Sequence, residues 1–434
     1  MLALAAPVII AELGWVTMGI VDTLMVGPLG ADAIGAVGLA SALFIAVGVF
    51  AMGLLLGLDP LVAQAFGARR IDECHRWLVA GVWLAILATP PAVGGVYLLN
   101  AVLPLLGLPP AVVTLARPYL AVVGWSLPPL LLYVAFRRYL QAMHIVRPVT
   151  YTLIAANIVN AIANWVLIHG YYGAPELGVT GAAYATLASR SVMALALLAV
   201  IVRRERHTQP RLSDTPLALK IKRVRQLVVL GLPAGGQMLL EVGVFAAATA
   251  LAGGVSSTAL AAHQIAIHMA AFTFMIPYGL SSAAAVRVGH AIGRRDPRGA
   301  MTAGWTAIAL GVSFMAAAAV VFLTMPGALI RAFTDDPGVV ALGVRLLFVA
   351  AVFQLFDGLQ GVTTGALRGL ADTRTALFWN LGGHWGVGLP LGYLLCFRWG
   401  YGVVGLWWGL SVGLMICGIS LVVAWRRKGI RLAA

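Results

Sequence analysis

VAQAFGARR, residues 62–70, returns as VGHAIGRR at residues 288–295, an offset of 226. The same offset pairs Pro7 with Pro233 and LGADAIGA (29–36) with VSSTALAA (255–262). An offset of 227 pairs GLPPAVVTL (107–115) with TDDPGVVAL (334–342), and Gly173 and Gly178 with Gly400 and Gly405. A nearly constant offset over most of both halves marks an internal duplication, so the two halves share one architecture.

Composition says what that architecture is made of. The 434 residues are 61% hydrophobic and only 10% charged, with mean hydropathy +0.95. Too little polar surface is left to cover a soluble domain. Twelve apolar stretches are long enough to cross a hydrocarbon layer of roughly 30 Å. They lie near 3–27, 32–58, 76–99, 112–135, 149–168, 178–202, 226–252, 258–284, 301–325, 338–365, 376–396 and 402–425. Turn and cap signals separate them, among them Gly27-Pro28, Pro109-Pro110, Gly173-Ala174-Pro175, Asp296-Pro297 and Asp336-Pro337-Gly338. Six spans per half bring both halves in from the same side, so the repeats are parallel. The expected fold is an all-α membrane protein with twelve transmembrane helices in two parallel six-helix repeats around a central cavity. Residues 1–205 form an N-lobe, 206–225 a cytoplasmic linker and 226–434 a C-lobe.

The net charge of +14 and pI near 10.3 would suit nucleic acid if the basic residues formed one patch. They recur instead in short loops at alternate span ends: Arg69, Arg70, Arg76, Arg137, Arg138, Arg147, Arg294, Arg295, Arg298, Arg368, Arg374 and Arg426-Arg427-Lys428. The opposite loops hold Arg331 and Arg398 beside Asp32, Glu176, Asp335 and Asp336. The positive-inside rule places the basic side, with both termini, in the cytoplasm. A multi-pass protein of a bacterial cytoplasmic (inner) membrane is expected, embedded in lipid, monomeric and without a nucleic-acid partner. The loop over 203–225 carries charge but no separate binding pattern, and is read as a flexible solvated linker. Cys74, Cys396 and Cys417 are too few and scattered for a disulfide framework or a metal site. The opening MLALAAPVII lacks the basic start of a signal peptide and predicts the first span.

Against this background three acids stand out: Asp22, Glu241 and Asp357 lie inside apolar stretches. On insertion scales a carboxylate at mid-membrane costs roughly 2.5–3.5 kcal/mol, so such groups are retained for a function, here coupling or substrate binding. Their repeat equivalents are Ala248, Trp15 and Leu130, so the acids were added to the duplicated scaffold rather than copied with it. A desolvated carboxyl can load and release a proton near physiological pH, and the same oxygens can hold a hard cation such as Na⁺, at Glu241 and Asp357 for example. Asn157, Asn160 and Asn164 fall on one helical face of the fifth span, where they could donate to Asp22 as an N-lobe polar site or serve as interhelical glue. Met18 and Met25 flank Asp22, Met238 and Phe245 flank Glu241, and Phe353 and Phe356 precede Asp357. Acid, Met and aromatic surfaces together suit lipophilic organic cations, and ordinary helix packing uses the same residues.

Histidines His263, His268 and His384 could titrate or bind metal, though isolated helix histidines commonly satisfy a core hydrogen bond. Asp59, next to Pro60 near an inner helix end, predicts a solvated terminus. Glu12 also lies in or near a span, and its sequence does not decide between a solvated end and a buried role; Arg190 is a candidate partner for a buried acid, or for snorkelling.

VDTLMVG (21–27), VAQAFGA (62–68), YGAPELGVTGAAYAT (172–186), AAHQIA (261–266), RVGHAIG (287–293) and ALRGLADT (366–373) together resemble the multidrug and toxic compound extrusion (MATE) family. The resemblance covers essentially the whole chain. Glu241 and Asp357 are similar to the acids of its NorM-like branch, whereas the DinF-like branch concentrates its acids in the N-lobe. The resemblance implies a secondary antiporter that exports cationic amphipathic compounds in exchange for H⁺ or Na⁺ by alternating access, with no cofactor. Phe353 stands where some Na⁺-coupled members have Tyr, which leaves the coupling ion open. The runner-up is a lipid-linked oligosaccharide flippase of the same superfamily, although those favour a basic cavity. An intramembrane enzyme would need a catalytic pair or a metal set on facing helices, and none is apparent.

Overall fold

Long apolar runs in hydrocarbon must satisfy their backbone internally, which leaves helix as the economical choice. A computed structural model describes residues 2–206 and 209–433, and it contains no strand among them. The helices of the first half are α1 (Leu2–Val26), α2 (Ala31–Leu54), α3 (Leu58–Gly67), α4 (Ile71–Val102), α5 (Pro110–Gly124), α6 (Leu127–Ala142), α7 (Arg147–His169) and α8 (Val179–Glu205). Those of the second half are α9 (Ile221–Gly253), α10 (Ser257–Gly293), α11 (Pro297–Thr324), α12 (Pro326–Arg331), α13 (Pro337–Gly369), α14 (Arg374–Asn380), α15 (Leu389–Tyr393) and α16 (Gly402–Ala433).

Ten of the described helical segments are each long and apolar enough to cross a membrane, α2 and α3 counting as one continuous span. The α5–α6 pair, bent by 46°, makes an eleventh. Its bend falls at Trp125-Ser126 just before Pro128-Pro129, where two residues without N–H groups cannot close the helical ladder. The twelfth runs from α14 through α15 to Arg398, with π-helical turns at Leu381–Gly388 and Leu394–Arg398. Glycine at 382, 383, 386 and 388 and proline at 390 explain why this span departs from the regular i→i−4 ladder. Among the described residues the twelve expected spans are thus accounted for, six before residues 206–225 and six after.

The chain divides into two compact units. The N-unit is Ile10–Gly235, and the C-unit is Met1–Ile9 with Gly236–Ala434. Both divisions fall two residues after a helix proline, Pro7 in α1 and Pro233 in α9, at repeat-equivalent positions. Within the N-unit the start of α9 lies so close to α2 that a Cβ on Gly53 would come 2.2 Å from the Gly235 Cα, so neither helix tolerates a side chain there. The equivalent approach in the C-unit sets Gly279 of α10 against Ile9.

The segment before α9 is tied down. Trp83 donates from its indole to the Leu217 carbonyl at 2.8 Å. Arg223 makes two hydrogen bonds to Glu73, at 2.8 and 3.0 Å, and its guanidinium lies 4.8 Å from the Trp77 ring centroid. The freely flexible linker read from composition is corrected here: two tryptophans and a carboxylate on α4 hold its C-terminal part.

Candidate functional site

Two acid sites emerge, one in each unit. In the N-unit, Asp22 is buried in the C-terminal part of α1. Asn160 and Asn164, one turn apart on α7, both donate to its Oδ1, at 3.0 and 2.7 Å, and Thr186 of α8 donates to Oδ2 at 3.1 Å. One turn beyond Thr186, Arg190 lies within electrostatic reach of Asp22. Its guanidinium stacks 4.4 Å from the Phe44 ring centroid and 5.7 Å from that of Trp15, and donates to the Ser126 hydroxyl. The Asp22 carboxylate thus has three donors and a cation nearby, which together offset much of the cost of burying it.

Asn157, on the same stripe of α7, is not among these donors. It binds the Gly14 carbonyl at 3.1 Å and the Leu153 carbonyl at 2.9 Å, holding α7 to α1 instead. Met18 is buried and Met25 half-buried. Arg190, a candidate partner for a buried acid in the sequence, lies near Asp22, and Thr186 is the site residue that sequence reasoning left out. Their i, i+4 spacing on α8 was the available signal, the same spacing that singled out Asn160 and Asn164.

The C-unit acids are in a different environment. Asp357 is buried on α13, and Glu241 is half-buried on α9. The two lie within electrostatic reach of each other. Glu241 receives hydrogen bonds from Gln237, at 3.4 Å and one turn earlier on α9, and from Gln360, one turn after Asp357. Gln360 also donates to Asn380 Oδ1 at 3.2 Å. Among the described residues no lysine, arginine or histidine forms an ion pair with either acid. Two carboxylates repelling each other in a desolvated site, with only neutral amides around them, form a place that gains from accepting a positive charge.

Aromatic residues border this pair. Phe245, one turn after Glu241, and Phe353, one turn before Asp357, meet edge to face at 6.0 Å, and Phe353 meets Trp407 at 5.6 Å. Met238 and Phe356 are half-buried, whereas Phe353 is fully packed. His263 is locked between Thr249 and Trp407: its Nε2 lies 3.0 Å from the Thr249 hydroxyl, and its Nδ1 accepts from the Trp407 indole at 3.0 Å. That indole can only donate, so Nδ1 carries no proton and the ring is a structural, neutral imidazole. No cluster of three or more metal-ligating side chains exists among the described residues.

The remaining charges near spans correct two expectations. Asp59 is not a solvated helix end but 2% exposed, bonded to Arg138 at 3.5 Å. Arg137 pairs with Glu12. Both arginines, and Arg368 of α13, are buried rather than solvated in loops. The segment FRRY at 136–139 continues α6 inward past its apolar run, so its two arginines are enclosed by neighbouring helices that supply the carboxylates.

The MatE family model matches residues 7–166 and again 233–394, once in each repeat. A probable multidrug resistance protein NorM of Mesorhizobium japonicum is 38% identical over 98% of this chain and 93% of its own length. Another from Bradyrhizobium diazoefficiens is 39% identical over 99% and 93%. Among solved structures, an outward-facing multidrug resistance MATE family transporter of the MOP superfamily superposes with a TM-score of 0.90 at 19% identity, covering 100% of this chain and 96% of the other. A eukaryotic MATE transporter superposes with a TM-score of 0.89 at 19% identity, covering 99% and 97%.

Proposed function

The chain belongs to the MatE family, and from that premise we propose that it is a secondary active multidrug efflux antiporter. It exports cationic, amphipathic organic compounds in exchange for H⁺ or Na⁺ by alternating access, as a monomer in a bacterial inner membrane with both termini in the cytoplasm. The observation that carries this reading is the Glu241–Asp357 pair: two interacting carboxylates with no basic partner among the described residues. Such a pair attracts one positive charge at a time, an organic cation in one orientation and the coupling ion in the other. Phe245, Phe353 and Met238 supply polarisable surface of the kind lipophilic cations prefer. Asp22 with Asn160, Asn164 and Thr186 forms a second polar site, whose oxygens suit a proton or a hard cation.

Ethidium efflux from everted vesicles, driven separately by a proton gradient and by a sodium gradient, tests the reading. Efflux under one gradient, abolished by collapsing it, is the expected result. A chain that moves ethidium under neither gradient is not an antiporter of this kind.

A further inference from the structure

The C-unit holds three buried histidines, His263, His290 and His384, and the first and last differ in one respect that matters for protons. His263 has both ring nitrogens occupied, by Thr249 and by Trp407. His384 is 1% exposed, and neither of its ring nitrogens has a hydrogen-bond partner. Buried polar atoms are almost always paired, so an imidazole with both ring nitrogens open calls for an explanation. Its backbone is irregular as well: His384 sits within the π-helical turns at Leu381–Gly388, a distortion that helices keep mainly at functional positions.

The His384 segment meets residues that flank Glu241 on α9. The indole of its neighbour Trp385 donates to the carbonyl of Leu240, beside Glu241, at 2.9 Å. The His384 ring centroid lies 6.4 Å from that of Phe245, one turn beyond Glu241. Gln360 links Glu241 to Asn380, which ends the α14 turn that leads into the His384 segment. The elements packed against this segment are α14, α15 and α16, which carry Arg374, Tyr393, Cys417 and the terminal Arg426, Arg427, Lys428 and Arg431; the Cys417 thiol donates to the Trp379 carbonyl at 3.0 Å, and Glu241 lies on α9, whose Leu240 and Phe245 meet Trp385 and His384.

We propose that His384 is the proton relay of the C-unit acid site, a positioning residue that carries protons between the Glu241–Asp357 pair and water without itself binding the exported cation. An imidazole does this by accepting a proton on one ring nitrogen while releasing the other nitrogen's proton, and returns to the neutral form afterwards. When an organic cation arrives, the proton held by the carboxyl pair leaves through His384 to water. When the cation has departed, a proton from water returns by the same path, so each turnover moves one proton in and one organic cation out, and the charge of the site is conserved.

The relay rests on the antiport proposed above and adds to it that the coupling ion at this site is H⁺. Its test compares two modes of one protein in proteoliposomes. One is efflux of tetraphenylphosphonium driven by a pH gradient. The other is exchange of labelled for unlabelled tetraphenylphosphonium at equal pH, which moves no net proton. H384Q and H384N are expected to slow gradient-driven efflux at least about tenfold, which corresponds to about 1.4 kcal/mol in the barrier, while exchange stays at the parental rate. Equal loss in both modes would make His384 a packing residue, and loss in neither would remove it from the site; either result overturns the relay. A parental protein that exchanges tetraphenylphosphonium but ignores the pH gradient overturns the proton assignment and the relay together. A parental protein that responds to the gradient, with variants that respond equally, overturns the relay alone.

Discussion

The N-unit and the C-unit began as copies, and they solve the problem of a buried carboxylate in opposite ways. Asp22 has hydrogen bonds from Asn160, Asn164 and Thr186 and a cation, Arg190, within electrostatic reach. Glu241 and Asp357 have amides and each other. A carboxylate whose donors and counter-charge are built in is largely compensated by the protein itself, whereas a pair without a counter-charge gains most from a charge that comes and goes. Under the antiport proposed above, the exchange of cations falls chiefly to the C-unit, and the N-unit keeps an electrostatically balanced polar site.

The strongest way to break that contrast is to neutralise the C-unit acids. Glu241→Gln and Asp357→Asn keep size and hydrogen-bonding capacity but remove the charge, and each is expected to reduce gradient-driven ethidium efflux by at least about tenfold at normal membrane insertion. Parental rates in both single variants would show that the pair is not the coupling site. Next in size is the counter-charge of the N-unit. Arg190→Gln should leave Asp22 without its nearby cation, and removing one partner of a buried charge pair costs about 3 kcal/mol or more. The expected result is a lower Tm in detergent, with Asp22→Asn in the same background recovering part of it. If Arg190→Gln melts like the parent, the N-unit is not balanced in the way described.

A smaller effect separates shared from independent groups. Asp22→Asn and Asn164→Ala should each impair transport, and the double variant should lose less than the sum, by a coupling of about 0.5–3 kcal/mol. Strict additivity would mean the 2.7 Å contact between them has no energetic consequence. The smallest effect belongs to a C-unit carboxylate outside the spans that does have a basic partner. Burial pushes the Asp372 carboxyl up, but the Lys428 ammonium at 2.8 Å and hydrogen bonds from Thr375 outweigh burial and hold it below its ordinary value. A carboxylate depressed in the fold contributes stability above its unfolded value, about 3.9, and loses that contribution as the pH falls through its folded value. Thermal melts of the parent and of Asp372→Asn should therefore differ slightly at pH 7 and converge in acid. A difference that grows on acidification would contradict the depressed carboxyl.

Much of the architecture was legible in the chain because its signals are local or periodic. Hydropathy over about twenty residues marks a span whatever its neighbours are, and a constant offset marks a repeat without any knowledge of packing. The acids were legible for the same reason: Asp22, Glu241 and Asp357 are anomalies against their own immediate sequence. The α7 stripe yielded Asn160 and Asn164 correctly placed beside Asp22, but not the separate bonding of Asn157 to Gly14. Helical period gives the face, and a face is wider than a site.

What the tertiary structure alone decided are the partners, because a hydrogen bond between residues more than a hundred positions apart leaves no mark in either segment. Asp22 reaches Thr186 across 164 positions, and Arg137 reaches Glu12 across 125. Nothing local distinguishes Arg137 and Arg138, buried in α6, from the solvated loop arginines they resemble in sequence. His263 and His384 likewise read as two equivalent helix histidines until packing gave one of them Thr249 and Trp407 and left the other's ring nitrogens open. The sequence by itself determined which residues had to be in the membrane, since transfer from water is a property of each segment. Which charges are compensated there depends on what folds against them, and only the packed helices decided that.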